Sequence, residues 1–184
     1  MILATSIETP RLLLRTLEPT DVGPRYLSWL SDPEIRRYLE VRFSPVQSTG
    51  ELISFVNSVN AGTDSLLLGI FLKEGQRHIG NIKLGPFQVD HRRAEIGFLI
   101  GEKDCWGQGY ASEAISSLSR YGLDRLGLEK ITSGCYACNI GSAKALLKAG
   151  FVQEAVIPLH VIFEGRRVAS LLFGMDKQTK DTST

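Results

Sequence analysis

Two glycines between an apolar strand and an amphipathic helix are the most informative chemical feature of the sequence. Residues 94–101 alternate as a strand does, a polar break follows at 102–104, and the segment WGQGYAS at 106–112 leads into an apolar-periodic run. A loop of small residues that ends at a helix N-terminus directs backbone N–H groups at a phosphate. Glycine at 107 and 109 has no Cβ to keep a ligand away from the backbone. The segment therefore predicts a phosphate-binding loop.

The loop departs from the two commonest phosphate-binding motifs. It has no Lys-Ser or Lys-Thr pair after its glycines, so it is not a Walker loop. A Rossmann fingerprint that began at Gly107 would require glycine where the sequence has Ser112, and it would follow a first strand. What remains resembles the pyrophosphate loop of the GNAT acetyltransferases, Gln/Arg-x-x-Gly-x-Gly/Ala. Gly109 and Ala111 fit its small positions, whereas Cys105 or Trp106 replaces its Gln/Arg.

A longer match indicates one branch of this family. The string WGQGYASEA at 106–114 is similar to the Rim-type (RimJ/RimL-like) branch, which contains ribosomal-protein N-terminal acetyltransferases. A second signature lies downstream, where Asn139-x-x-Ser142 and the segment KAGF at 148–151 resemble the family's Asn-x-x-Ser and Lys-x-Gly-Phe. The resemblance implies an N-acetyltransferase that uses acetyl-CoA as cosubstrate and needs no metal.

The elements that must position these residues follow from hydrophobic periodicity and turn signals. Strand patterns cover 9–15, 66–73, 78–84, 94–101, 129–136, 151–163 and 168–174, and helix patterns cover 22–30, 33–39, 51–60, 112–126 and 142–149. We expect Thr20 and Asp21 to cap the first helix, Gly85 and Pro86 to end the third strand, and Pro158 to interrupt a strand or mark an edge.

This order of elements predicts an α/β fold, with helices on both faces of a mixed sheet. It also matches the GNAT order, so the resemblance implies the GNAT fold, with a central sheet splayed at the fourth and fifth strands. We expect a single GNAT N-acetyltransferase domain over residues 1–184. Its acetyl-CoA core would span about 77–151, and the polar tail 177–184 would be frayed.

Acyl transfer from a thioester requires the donor and the amine to be held within attack distance, which alone can contribute about 7–11 kcal/mol. The loop predicts that backbone N–H groups from Gln108 through Gly109, Tyr110 and Ala111 to Ser112 bind the pyrophosphate. By resemblance, the pantetheine arm pairs with the backbone of the central strand, and one N–H group there serves the thioester oxyanion. The residues concerned are Phe98, Leu99 and Ile100. Asn139 would bond the same arm.

The proton-transfer groups are less well defined by the sequence. By resemblance, Glu95 lies near the acceptor amine and acts as a base directly or through a water, but a solvated glutamate at a strand start has the same pattern. Asp90 and His91 are alternative bases. Many GNAT enzymes have a tyrosine acid where this sequence has Leu146. Ser142 resembles the serine of the Rim-type branch, which protonates or bonds the thiolate. Asn139 or Ser142 could also cap the helix that follows.

The acceptor site would be built from the poorly patterned segments 29–43 and 160–167. Trp29, Arg37 and His91 are its candidate residues. Arginines at 36, 37, 42, 92 and 93 suit an acidic acceptor such as a phosphate-bearing one, although each is also a typical surface charge. The acceptor would be a nucleotide-linked amino sugar or a protein or peptide N-terminal amine. The alternative is a GNAT-fold module that binds CoA without turnover.

Composition excludes several other classes of function. The 184 residues include 21 basic and 20 acidic ones, which give a net charge of +1 and no reason to expect a nucleic-acid or membrane partner. No leader and no membrane-spanning run is seen, so we expect a cytoplasmic protein. Three cysteines argue against a disulfide framework, and we interpret the Cys135-x-x-Cys138 pair as free thiols. Oligomeric state stays open, with a homodimer as one outcome.

Overall fold

The computed structural model describes residues 1–44 and 48–178. Eight strands form one sheet in the order β1-β2-β3-β4-β5-β6-β8-β7. The strands are β1 (Ile7–Glu8), β2 (Leu12–Thr16), β3 (Leu66–Leu72), β4 (His78–Gln88), β5 (Arg93–Ile100), β6 (Lys130–Tyr136), β7 (Val152–Phe163) and β8 (Arg166–Asp176). The helices are α1 (Pro24–Ser31), α2 (Pro33–Arg36), α3 (Thr49–Ala61), α4 (Tyr110–Arg125) and α5 (Ile140–Ala149).

Strands β5 and β6 separate along their length, as the fold prediction required. They pair in parallel only over Arg93–Glu95 and Lys130–Thr132. Beyond that point Ser133 Oγ donates to the carbonyl of Ile96 at 2.9 Å, while β6 stays paired with β8 to its end at Tyr136. Every other strand pair is antiparallel. The predicted mixed α/β sheet, splayed at its fourth and fifth predicted strands, is confirmed.

The sheet carries an apolar core on each face. Leu66, Leu68 and Ile70 of β3 belong to one core, which also includes the buried side of α4, and Leu67 belongs to the other, which includes α1 and α3. Because successive residues of a strand point to opposite faces, these memberships place the two cores on opposite sides of the sheet. Helices therefore cover both faces, and β5 lies between the two layers.

Two local predictions were wrong. Gly85 and Pro86 do not end the third predicted strand, since β4 continues to Gln88 through a register shift between Leu84 and Phe87. Proline is tolerated there because a bulge leaves one residue without a ladder hydrogen bond. Neither Thr20 nor Asp21 caps α1, whose N-cap is Gly23. The Asp21 carboxylate instead accepts from the Arg15 guanidinium at 2.6 and 2.7 Å.

Other boundaries agree with the sequence patterns. The pairing of β7 with β8 shifts between Ile157 and Val161, on either side of Pro158, and β7 is an edge strand. Of the tail predicted to fray, residues 179–184 lie outside the described residues. Within the described ranges, no helix combines the length and the apolarity needed to cross a bilayer.

Candidate active site

A cleft of about 620 Å³ opens beside the splayed end of β5. Its walls come from four parts of the chain: the end of β5, the segment from Cys105 to Ser112, the junction of β6 with α5, and α2 with the turn that follows it. A cleft of this size is typical of small-molecule sites. It brings together most of the residues that the sequence predicted to bind the cosubstrate: Phe98, Leu99, Ile100, Gly109, Tyr110, Ala111, Ser112 and Asn139.

The glycine loop has a backbone conformation that glycine favours. Gly107 and Gly109 have φ values of 74° and 83°, in the left-handed region that favours glycine. Gly109 is the N-cap of α4 and its carbonyl accepts from the N–H of Glu113 at 3.1 Å. Trp106 Nε1 donates to the carbonyl of Ile100 at 2.8 Å, which ties the loop to the end of β5. The first turn of α4 therefore faces the same cleft as the β5 backbone.

A clamp that the sequence did not reveal fixes the loop to the start of β2. Glu113 accepts from Thr9 Oγ1 at 2.6 Å, from the N–H of Arg11 at 3.0 Å, and from Arg11 Nε at 2.7 Å. Arg11 also donates through Nη1 to the carbonyl of Gln108 at 3.0 Å, and its guanidinium lies over the Tyr110 ring at 4.4 Å. Burial opposes ionisation of Glu113, yet the bonds from Thr9 and Arg11 hold its pKa below the ordinary value.

Positive charge collects at the loop end of the cleft. A Cβ added to Gly109 would lie 3.5 Å from Lys148 Nζ and 3.6 Å from Arg11 Nη2, so both cations border the loop. Lys144, one turn before Lys148 on α5, also lines the cleft. Backbone N–H groups at a helix start, together with these cations, suit a diphosphate. The residues present therefore fit the phosphate end of acetyl-CoA.

The end of β5 is shaped by a close backbone approach from β4. A Cβ at Gly80 would lie 2.1 Å from the carbonyl oxygen of Leu99, so only glycine allows this contact. The N–H groups of Gly101 and Glu102 both donate to the carbonyl of Ile79, at 2.8 and 3.2 Å, where the strand turns away. Phe98, Leu99 and Ile100 lie beyond the last residue of β5 that pairs with β6, and all three line the cleft.

The start of α5 supplies a second set of polar groups. Asn139 is its N-cap and accepts from the N–H of Ser142 through Oδ1 at 3.2 Å. Asn139 is thus the cap, and Ser142 lies in the first turn of α5 and lines the cleft. Leu146, one turn further, is fully buried in the core. The position where many GNAT enzymes have a tyrosine therefore faces the hydrophobic interior.

Several predicted site residues lie away from the cleft. Glu95 is exposed and lines a separate cavity of about 130 Å³ with Gln88, Arg93 and Thr132. The Gln108 side chain donates to the carbonyl of Asp104, and only its backbone belongs to the loop.

The predicted acceptor residues are divided between core, surface and cleft. Trp29 is buried, packs against Gly101 and donates through Nε1 to Glu102 at 3.0 Å. His91 is exposed in a turn before β5. Arg37 lines the cleft and pairs with Glu164 at 2.9 Å.

Comparisons with known proteins agree with this geometry. A family model described as an acetyltransferase (GNAT) domain matches residues 11–152. The chain is 29% identical over 174 residues to the uncharacterized N-acetyltransferase p20 of Bacillus licheniformis, a match that covers 94% of this chain and 97% of the relative.

Solved structures share the fold at low sequence identity. A spermidine N-acetyltransferase from Vibrio cholerae, in complex with CoA and spermine, superposes with a TM-score of 0.80 at 22% identity, over 92% of this chain and 97% of that one. A putative ribosomal-protein-serine acetyltransferase from Vibrio cholerae gives 0.71 at 23% identity, over 96% and 99%.

Proposed function

The chain belongs to the GNAT acetyltransferase family, and we propose that it transfers an acetyl group from acetyl-CoA directly to a primary amine, without a covalent enzyme intermediate. The observation that carries the proposal is the shared cleft. One cavity joins the glycine loop at the start of α4, the splayed end of β5 and the first turn of α5. This arrangement can hold a diphosphate at one end and a thioester at the other.

In this proposal the donor is held mainly by backbone groups. N–H groups from Gln108 to Ser112 bind the pyrophosphate, and the backbone of Phe98, Leu99 and Ile100 pairs with the pantetheine arm. An N–H group of this strand stabilises the oxyanion that forms when the amine attacks, an effect that is typically about 10²–10³-fold in rate. Asn139 bonds the arm through its Nδ2 group, because Oδ1 is engaged by the helix cap. Ser142 donates a hydrogen bond to the departing sulfur.

Glu95 acts through water in this mechanism. Glu95 and Gly97 point to the same face of β5, and a Cβ at Gly97 would have no neighbour within 4 Å. Two residues along a strand span about 7 Å. Glu95 is therefore too far from an amine bound at the splay for direct contact, but the distance suits a relay of one or two waters. Glu95 would therefore remove the amine proton over the open surface at Gly97.

The acceptor is either a nucleotide-linked amino sugar or a protein or peptide N-terminal amine. Three of the arginines that favoured an anionic acceptor have protein partners: Arg37 pairs with Glu164, Arg42 bonds Tyr136, and Arg92 pairs with Glu129. Their charge alone therefore does not select the sugar. The resemblance to the Rim-type branch favours the peptide amine, in accord with the neighbour named for ribosomal-protein acetylation. A polyamine is a third acceptor to test, because one structural neighbour is in complex with spermine.

One observation keeps a module that binds CoA without turnover as the second candidate. Among the described residues that line the cleft, Glu34 is the only carboxylate, and it pairs with Lys103 at 2.6 Å. Such a module would bind CoA with the affinity of an enzyme but would not release thiol in response to an amine.

The experiment is a thiol-release assay with purified protein, acetyl-CoA and three acceptor sets: a nucleotide-linked amino sugar, N-terminal peptides and spermidine. We expect saturable release that requires one of the amines, and an acetylated product by mass spectrometry. Glu95→Gln should lower kcat while the Kd for CoA stays unchanged. CoA binding with no amine-dependent release would support the binding module instead. Light scattering of the same sample reports whether the protein is a homodimer.

The state of the cysteines bears on where in the cell the protein acts. All three cysteines, at 105, 135 and 138, are free thiols, which suits a reducing compartment. We therefore place the reaction in the cytoplasm. Fractionation of cells that express the tagged protein would test this placement.

A further inference from the structure

Tyr38 lines the cleft, and its hydroxyl lies at the junction of β6 and α5. Tyr38 lies in the turn after α2, lines the same cleft as Asn139 and Ser142, and donates its hydroxyl to the carbonyl of Cys138 at 3.3 Å. Cys138 directly precedes the Asn139 cap. The residues are 100 positions apart in the sequence, so no local pattern connects them.

We infer that Tyr38 is a catalytic residue that protonates the departing thiolate, an inference that rests on the proposed transferase function. The helix position that often carries a tyrosine is filled here by Leu146, which is buried and has no proton to give. Tyr38 reaches the cleft from a different segment of the chain, the turn after α2. It thus brings a phenol to the β6–α5 junction without help from α5.

The ring of Tyr38 is held in place by its neighbours. It stacks on Phe163 with centroids 5.2 Å apart and planes 13° apart, and the Arg37 guanidinium lies 5.5 Å from its centroid. Tyr136 is a third neighbour, at 6.4 Å. Aromatic packing of this kind restricts the ring without engaging the hydroxyl. The bond to Cys138 is long for an O–H···O bond, so a nearby thiolate would be the stronger acceptor.

The proton balance of the step is complete. The amine nitrogen forms a bond to the acetyl carbon, the carbon–sulfur bond breaks, and its electron pair passes to sulfur. Tyr38 gives its proton to that sulfur and becomes a tyrosinate, which takes a proton from solvent in the open cleft, while the amine loses one proton through water to Glu95.

Tyr38→Phe tests the inference because it removes the hydroxyl and keeps the stacked ring. Tyr136→Phe is the matched control. Its hydroxyl donates to Glu40 at 2.7 Å and accepts from Arg42 at 2.6 Å, and Tyr136 is not among the residues that line the cleft. For each protein, kcat with saturating amine, the Kd for CoA and the Tm are measured.

For Tyr38→Phe we expect kcat to fall about 10²-fold, within the range typical of general acid catalysis, with the Kd for CoA unchanged. For Tyr136→Phe we expect an unchanged kcat. With an active wild type, three results would overturn the inference. Tyr38→Phe could keep kcat within threefold of the wild type, or its Kd for CoA could rise by the same factor as its kcat falls. The third is an equal loss of kcat in Tyr38→Phe and Tyr136→Phe. Amine-independent release by the wild type would instead overturn the transferase function itself.

Discussion

Glu113→Gln probes the phosphate loop most sharply, because two effects of the change on CoA binding have opposite signs. Glutamine keeps the size of the side chain and one acceptor oxygen, but it turns an NH₂ group towards the Arg11 guanidinium. The ion pair at 2.7 Å is lost, and Arg11 no longer holds the Gln108 carbonyl firmly. Misplaced loop amides weaken CoA binding, whereas a freed guanidinium beside the diphosphate strengthens it.

The contacts give the expected size of the effect. The Arg11 side chain is 45% exposed and that of Glu113 is 16% exposed, so solvent reduces the ion pair to about 0.5–1 kcal/mol. One lost hydrogen bond adds about 0.5–1 kcal/mol, which gives a total of about 1–2 kcal/mol. A domain of this length loses about 2–4 °C of Tm per kcal/mol, so Tm should fall by about 2–8 °C. The same energy expressed at the loop raises the Kd for CoA about 5–30-fold.

Calorimetric titration with CoA at neutral pH measures the effect. Glu8→Gln is the control, because Glu8 pairs with Lys73 at 2.9 Å on the exposed part of the sheet and neither residue lines the cleft. We expect weaker binding by Glu113→Gln and wild-type binding by Glu8→Gln. Unchanged or tighter binding by Glu113→Gln would refute the claim that the clamp positions the loop.

The pH dependence of this clamp has a definite sign. Because the folded pKa of Glu113 lies below its ordinary value, the stabilisation is fully present above about pH 4.3 and is lost as pH falls through the folded pKa. The Tm difference between wild type and Glu113→Gln should therefore shrink in acid.

Three further predictions follow from the same structure. Gly80→Ala places a methyl group against the Leu99 carbonyl and should lower kcat/KM about 10²-fold by displacing an oxyanion donor, whereas Gly23→Ala, whose added methyl meets no atom within 4 Å, should leave kcat/KM unchanged. Gly97→Val fills the open surface beside Glu95 and should raise the KM for the amine while the Kd for CoA stays constant. A higher Kd for CoA would contradict the proposed proton path from the amine to Glu95. Burial and the nearby Cys138 raise the pKa of Cys135 to about 11, so its alkylation near pH 8 should be about a few hundred times slower than that of an ordinary thiol, as mass spectrometry can show.

The sequence predicted the elements whose signals are local. The strand, loop and helix around Gly109 follow from alternation, two glycines and a 3.6-residue period, and the cap at Asn139 follows from its residue type. The splay between the two central strands was also expected, but from the family resemblance. Pro86 misled the prediction because a breaker residue was weighed without the bulge that accommodates it.

The sequence could not predict contacts between distant parts of the chain. Arg11 and Glu113 are 102 positions apart, and nothing near either one marks them as partners. Glu95 shows a different limit: alternation along β5 places it on the opposite side from the buried Ala94 and Ile96, but the pattern does not reveal which side opens into the cleft. Trp29 was assigned to the acceptor site because it begins the poorly patterned segment 29–43, but it is buried in the core and packs against Gly101.

The most direct test of the central claim is an amide NMR titration of the ¹⁵N-labelled protein with CoA. The account predicts large shifts for the amides of Phe98, Leu99 and Ile100 and for those from Gln108 to Ser112, with little change along the β7 edge. Saturable binding of CoA that leaves both groups of amides unshifted would contradict it.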